Sequence, residues 1–150
     1  MELVQTRWES QECRSEDGIF FPDDTVILLA GSPTEGYRAS LRQPLHNLTV
    51  ENPDGWTDTD IDPGCSVIHQ SLLIVGGGGS YEGDGFLAVV DASSRRLMWL
   101  LHLSGVERFT EVRVAGSLLH AVSEEYPFRH EWTIPLETPH SLLPRTKKLN

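Results

Sequence analysis

Carboxylates at close spacing mark residues 52–62, where Asn52-Pro53-Asp54-Gly55-Trp56-Thr57-Asp58-Thr59-Asp60-Ile61-Asp62 sets four aspartates around one large aromatic. Asp58, Asp60 and Asp62 alternate as the first ligands of a calcium loop do. The pattern then breaks: Pro63 stands where the loop needs a turn glycine, and His69 where it needs a bidentate Glu. The expected chemistry is therefore that of a solvated acidic loop. Carboxylates pair with Lys and Arg in charge-assisted hydrogen bonds, and Trp is a frequent interface anchor, so Asp54, Trp56, Asp58, Asp60 and Asp62 form a candidate partner-binding surface. Tyr81 and Asp84 join it from the next Gly-rich segment.

That segment, Gly76-Gly77-Gly78-Gly79-Ser80, follows an apolar run, as a phosphate-cradling loop would. It lacks the following Lys-Ser/Thr, and Glu82 and Asp84 would repel an anion. A flexible connection between two strands is the expectation, with Tyr81 at its tip. The histidines, His46, His69, His102, His120, His130 and His140, show no HxH, HxxxH or HExxH spacing. A pairing of His120 with His130 across one hairpin is left open. No GxSxG elbow surrounds any Ser, and Glu124 and Glu125 carry no acid–base signature without geometry. Cys13 and Cys65, 52 positions apart, belong to no CxxC pair and read as two reduced structural thiols, with a disulfide as the alternative in an oxidising compartment. No catalytic residue, metal or cofactor is expected.

Charge narrows the partners. The net charge is −10, and residues 1–62 hold 13 Asp and Glu against 4 Arg, whereas residues 63–150 hold 9 against 8 basic residues. Direct binding to nucleic acid or to an anionic membrane needs a basic footprint and is not expected. A basic partner is favoured. The first nine residues lack the basic start and apolar middle of a signal peptide, and no apolar stretch approaches the roughly 18 residues of a membrane helix, so a cytoplasmic location is expected.

The elements that must position these residues read as β. Glycine (13) and proline (9) punctuate the chain, and no window of a dozen residues has a helical apolar period. Expected strands are 18–21, 25–30, 36–41, 45–50, 66–70, 72–75, 86–91, 97–103, 109–114, 118–123 and 130–136. The clearest hairpin joins 86–91 to 97–103, with Asp91 accepting from turn amides. A second turn falls at Ala115-Gly116-Ser117. In 109–114 strict alternation would put Phe109, Glu111 and Arg113 on one face and Thr110, Val112 and Val114 on the other. Asn47-Leu48-Thr49 spells a glycosylation sequon by chance, and the basic tail 144–150 is expected to be a disordered terminus.

Three apolar runs start 46 residues apart, at Val26, Leu72 and Leu118. Periods of this length point to propeller blades or stacked sheets. Through Leu87 to Asp91, Met98-Trp99 and Gly116-Ser117-Leu118-Leu119, the segment Ser66 to Leu136 resembles the blades of β-propeller proteins. Trp-Asp and Gly-His dipeptides are missing, and three units are fewer than the four to eight blades of a closed ring. The fold expectation is a single all-β domain over residues 1–150. It is built of antiparallel blade-like sheets in about three repeats, as an open array, a β-sandwich or a ring completed by a second chain.

Two functional classes follow. The first is a non-enzymatic acidic protein that masks a basic protein partner, of the kind bacterial immunity proteins present to toxins. The second is a small-ligand-binding protein or metal-dependent enzyme whose site is assembled from loops of a blade-like fold. A scaffold that works as a homodimer is a third.

Overall fold

The computed structural model describes residues 2–79 and 83–149. Along the chain run α1 (Leu3–Glu9), β1 (Glu12–Arg14), β2 (Gly18–Phe21), β3 (Thr25–Ser32), β4 (Gly36–Ala39), β5 (Gln43–Pro44), α2 (His46–Glu51), β6 (Trp56–Asp58) and β7 (Asp60–His69). They are followed by β8 (Leu72–Gly78), β9 (Asp84–Asp91), β10 (Leu97–Ser104), β11 (Phe109–Ala115), β12 (Leu118–Glu125), β13 (Phe128–Pro135), a 3-10 turn (Pro139–Ser141) and β14 (Leu143–Lys148). The fold is all-β and every strand pairing is antiparallel. Among the described residues no helix is long and apolar enough to cross a membrane.

An eight-stranded sheet of order β4-β3-β2-β10-β9-β8-β7, with β5 added to β3, forms the middle layer. The four-stranded sheet β11-β12-β13-β14 covers one face, and α1, α2 and the β1-β6 ribbon cover the other. The apolar runs of β9 and β10 are long because they are buried on both sides. Leu87 and Val89 face the four-stranded sheet with Ile19, Ile74, Leu101 and Leu103, while Phe86, Ala88 and Val90 face α1 and the ribbon with Phe20, Val75 and Leu100. A strand covered on one face only would have alternated with polar residues.

The three runs spaced by 46 residues become β3, β8 and β12, each the second strand of a meander (β2–β4, β7–β10 and β11–β14). The first two meanders share one sheet, because β2 pairs with β10 through Ile19 opposite Leu101 and Phe20 opposite Leu100. The β9–β10 hairpin forms as its sequence requires, with Asp91 Oδ1 accepting from the Ser93 and Ser94 amides at 3.0 and 2.9 Å. Gly116, at φ +63°, makes the β11–β12 turn.

Four expectations are corrected. Where a strand was expected over 45–50, the chain forms α2 (His46–Glu51) with Leu45 at its N-cap: buried Leu45 and half-buried Leu48, three apart, share the packed face while Val50 is exposed. Residues 143–148 form β14, with Arg145 opposite Glu131 and Lys147 opposite Arg129, so the basic tail is ordered through Lys148. Phe109 does not share the exposed face of Glu111 and Arg113. A register shift between Phe109 and Glu111 turns the ring into the core. Gly76, Gly77 and Gly78 are buried residues of β8, not a flexible connection.

Those glycines are set by close approach. A Cβ on Gly77 would lie 2.0 Å from the Asp60 carbonyl oxygen and 2.8 Å from the Asp62 nitrogen, and one on Gly76 would meet Leu87 Cδ2 at 2.7 Å and Cys65 Sγ at 2.8 Å. The backbone of β7 therefore lies directly over β8. Gly77→Ala is expected to lower stability by about 1–3 kcal/mol or more, read as a fall in the urea midpoint. It is also expected to displace Asp60 and Asp62, which amide shifts of those two residues would report.

Candidate functional site

The β7–β8 approach, the start of β9 and the segment after β10 meet at one end of the middle sheet. Because β9 and β10 pair with Ser104 opposite Asp84, residues 105–108 return beside the ends of β8 and β9. On the opposite wall Ser10 and Gln11 follow α1, and the Gln11 carbonyl accepts from the Thr59 amide at 2.8 Å. Together these segments enclose an open cleft of about 780 Å³, lined by Ser10, Gln11, Asp58, Thr59, Asp60, Gly78, Gly79, Gly83, Asp84, Glu107 and Arg108. Three of the aspartates singled out from sequence, Asp58, Asp60 and Asp84, thus converge on one hollow.

Arg108 is the one cation among the described lining residues, and it is already engaged. Its Nε donates to Asp62 Oδ2 at 3.1 Å, and Nη2 to Asp60 Oδ2 at 3.3 Å. Asp62 Oδ1 accepts the Gly64 amide at 3.0 Å inside the bulge that interrupts β7. Two of the carboxylates that looked like calcium ligands, Asp60 and Asp62, therefore clamp a guanidinium of their own chain. The cleft shows that carboxylates at this spacing hold an arginine side chain.

Asp84 is the most constrained acid. Its Oδ1 accepts from the Gly79 amide at 2.9 Å, and its Oδ2 lies 3.1 Å from His102 Nε2. Burial alone would raise its carboxyl, but the hydrogen bonds from His102 and Gly79 outweigh that and hold it below the usual carboxylate range. His102 is 2% exposed, and its Nδ1 faces the Glu16 carbonyl oxygen at 3.0 Å. Both ring nitrogens are taken, so neither is left to act as a base on a substrate.

In sequence and structure comparisons, no protein-family model, no curated protein and no solved structure matched this chain. The functional reading therefore stands on the site itself.

The remaining sequence candidates lie elsewhere. Asp54 is exposed in the turn before β6. Trp56 is half-buried against α1 and β2, with the Arg7 guanidinium 4.6 Å and that of Arg14 4.9 Å from its ring centre, so this aromatic is packed between two cations rather than presented to solvent. Tyr81 lies outside the described residues. His120 and His130 do not converge. His120 faces outward opposite Arg113 and Thr133, whereas His130 is buried against Trp132 and contacts Thr146 and Glu125. Among the described residues no three His, Cys, Asp or Glu side chains are placed to hold a metal ion. Cys13 and Cys65 are free, buried in the two clusters on opposite faces of the middle sheet. Burial pushes the Cys65 thiol up to about 12 and that of Cys13 higher still, so neither is a ready nucleophile.

Sequence reasoning missed Glu107, Arg108 and His102. No local pattern marks them: His102 reaches Asp84 from 18 positions away and Arg108 reaches Asp60 from 48, and Glu107 enters the cleft beside Arg108. The local spacing of Asp58, Asp60 and Asp62 was the signal that could be read.

Proposed function

We propose that this chain is a non-enzymatic binding protein whose acidic cleft takes basic side chains of a protein partner and so masks them. The carrying observation is the convergence of Asp58, Asp60, Asp84 and Glu107 on one open hollow of about 780 Å³, in which the chain's own Arg108 already sits between carboxylates. A net charge of −10 supports it by steering cationic partners toward the surface. A toxin with a cationic cleft is the fitting class of partner, which makes an immunity role the functional expression of this reading. The three meanders, each with a repeat run as its second strand, support a blade-like description of the units. The polar lining of the cleft suits a charged side chain better than the mostly apolar sites that small ligands favour.

The test begins with co-purification of the tagged chain from its source cells, eluted with rising salt and identified by mass spectrometry. A basic protein released stoichiometrically at high salt is the expected result; recovery of the chain alone counts against the reading. With the partner in hand, the double substitution Asp58→Asn, Glu107→Gln is expected to slow association by about tenfold and to flatten its salt dependence. The Asp60 and Asp62 carboxylates that hold Arg108 and the Asp84 carboxylate are kept in this variant. Unchanged kinetics would remove the cleft from the interface.

A further inference from the structure

In a chain of net charge −10, the outer face of the four-stranded sheet carries an excess of cations. Strand register places Arg113, Arg129, Arg145 and Lys147 on it, against Glu111, Glu124 and Glu131. This face lies on the far side of the molecule from α1, α2 and the β1-β6 ribbon, to which the acid-rich first part of the chain belongs. It holds an open hollow of about 650 Å³ whose lining includes Arg113, Arg129, Arg145 and half-buried Val122.

Two of the three acids are already held. Glu131 takes Lys147 Nζ at 3.0 Å, and this hydrogen bond, with the charges of Lys147, Arg145 and Arg129 behind it, outweighs desolvation and keeps its carboxyl below the usual range. Glu124 accepts from Arg129 Nη2 at 3.2 Å. Glu111 is exposed on β11, an outer strand of the sheet. The arginines are less well served. Among the described residues neither Arg113 nor Arg145 has a hydrogen-bond or ion-pair partner, and Arg129 Nε is shut off from solvent without one. A guanidinium is a planar fork of donors that matches a carboxylate two bonds at a time. Two unused forks thus stand on the two outer strands of one sheet.

We propose that this hollow docks an acidic segment of a partner protein, laid extended across the strands with two carboxylates four residues apart. The strands of Arg113 and Arg145 are separated by three strand spacings, roughly 14 Å, and an extended segment sets residues i and i+4 on one side about 13 Å apart. One carboxylate then meets Arg113 and the other Arg145, while the side chain between them, i+2, rests on Val122. A carboxylate at the Arg145 end also offers Arg129 a second acceptor. The charge pattern selects this occupant. Glu111 and Glu131 break the face into separate positive points, which suits spaced carboxylates and not the continuous basic footprint that a nucleic-acid backbone needs. The hollow shares no lining residue with the acidic cleft, so the two surfaces stand or fall independently.

Titration of the 15N-labelled full-length protein with the peptide acetyl-Glu-Ser-Leu-Ser-Glu-amide, followed by NMR at low salt, tests this. Saturable shifts are expected at the amides of Arg113, Val122, Thr133 and Arg145 and at the arginine Nε–H groups. The double substitution Arg113→Gln, Arg145→Gln removes two exposed side chains without partners and is expected to weaken binding at least tenfold. The pair Arg38→Gln, Arg95→Gln, which removes as much charge from exposed positions elsewhere, should leave it within about twofold. The same peptide with Gln in place of Glu should produce no saturable shifts. Absence of saturable shifts with the Glu peptide overturns the proposal, as does equal binding by the Arg113, Arg145 variant or of the Gln peptide. Inorganic phosphate moving the same signals at the same concentration would make the hollow a general anion site and overturn the peptide assignment. So would self-association of the wild type that the Arg113, Arg145 variant abolishes, read by sedimentation, since the face would then belong to a second copy.

Discussion

Trp132→Ala is expected to lower stability by about 3–5 kcal/mol, the range found when a large aromatic is removed from a packed core. Trp132 is 1% exposed on β13, and its Nε1 donates to the Ser123 hydroxyl at 3.0 Å. Its ring meets Phe109 of β11 at 5.7 Å and Tyr37 of β4 at 5.9 Å between centroids. Tyr37 belongs to the eight-stranded sheet and Phe109 to the four-stranded one, so this ring joins the two sheets. Alanine would leave a void between them and deprive the fully buried Ser123 hydroxyl of its donor. Urea unfolding followed by far-ultraviolet circular dichroism should show a large fall in midpoint with the slope retained. Trp132→Phe, which fills part of the space, should lose less. Equal stability of Trp132→Ala and the wild type would mean that the sheets are held together elsewhere.

Such a core was largely legible in the residues. Strands β2, β3, β9, β10, β11 and β12 follow from short apolar runs bounded by Gly, Asp and Ser, because local alternation and turn chemistry act within a few residues. The same runs could not say which strands are covered on both faces. Phe86 to Val90 reads as one apolar stretch, and its division between two clusters depends on α1, 80 positions earlier, packing Val4 and Trp8 over one side. Nor is α1 itself visible in sequence. Asp24, from the turn between β2 and β3, caps it by accepting from the Leu3 and Val4 amides, both at 2.9 Å. A seven-residue helix held by a distant carboxylate leaves no periodic trace.

The site divides in the same way. Asp58, Asp60 and Asp62 declare themselves by spacing, but what they do depends on Arg108, brought beside them by the return of β10 into β11. The glycine run looked like slack in the chain because glycine permits many conformations. Gly77 is in fact required by the absence of a side chain, since the β7 backbone occupies the place of its Cβ. Trp56 looked like an exposed anchor because its neighbours in sequence are acidic. Its neighbours in space are Arg7 and Arg14.

Glu16→Ala is expected to cost more than Arg14→Met, although both remove the same ion pair. Arg14 donates from Nε and Nη2 to the two Glu16 oxygens at 2.9 and 2.7 Å, and from Nη2 to the Asn52 carbonyl at 2.9 Å. The Arg14 side chain is fully buried, its Nη1 already lacks a hydrogen-bond partner, and the Glu16 side chain remains 24% exposed. Removing Glu16 leaves a charged guanidinium in the interior with only the Asn52 carbonyl and the Trp56 ring, a change expected to cost about 3–5 kcal/mol. Removing Arg14 leaves a carboxylate that water can reach, and methionine fills the apolar space beneath Trp56. A double-mutant cycle should therefore be strongly non-additive, with Arg14→Met, Glu16→Ala more stable than Glu16→Ala alone. Arg14 also holds the turn that carries Asp54, since Gly55 donates to the same Asn52 carbonyl. Hydrogen exchange at Gly55 and Ser15 should then quicken in Arg14→Met even where global stability is kept, showing that this buried arginine positions the acidic loop rather than merely filling the core.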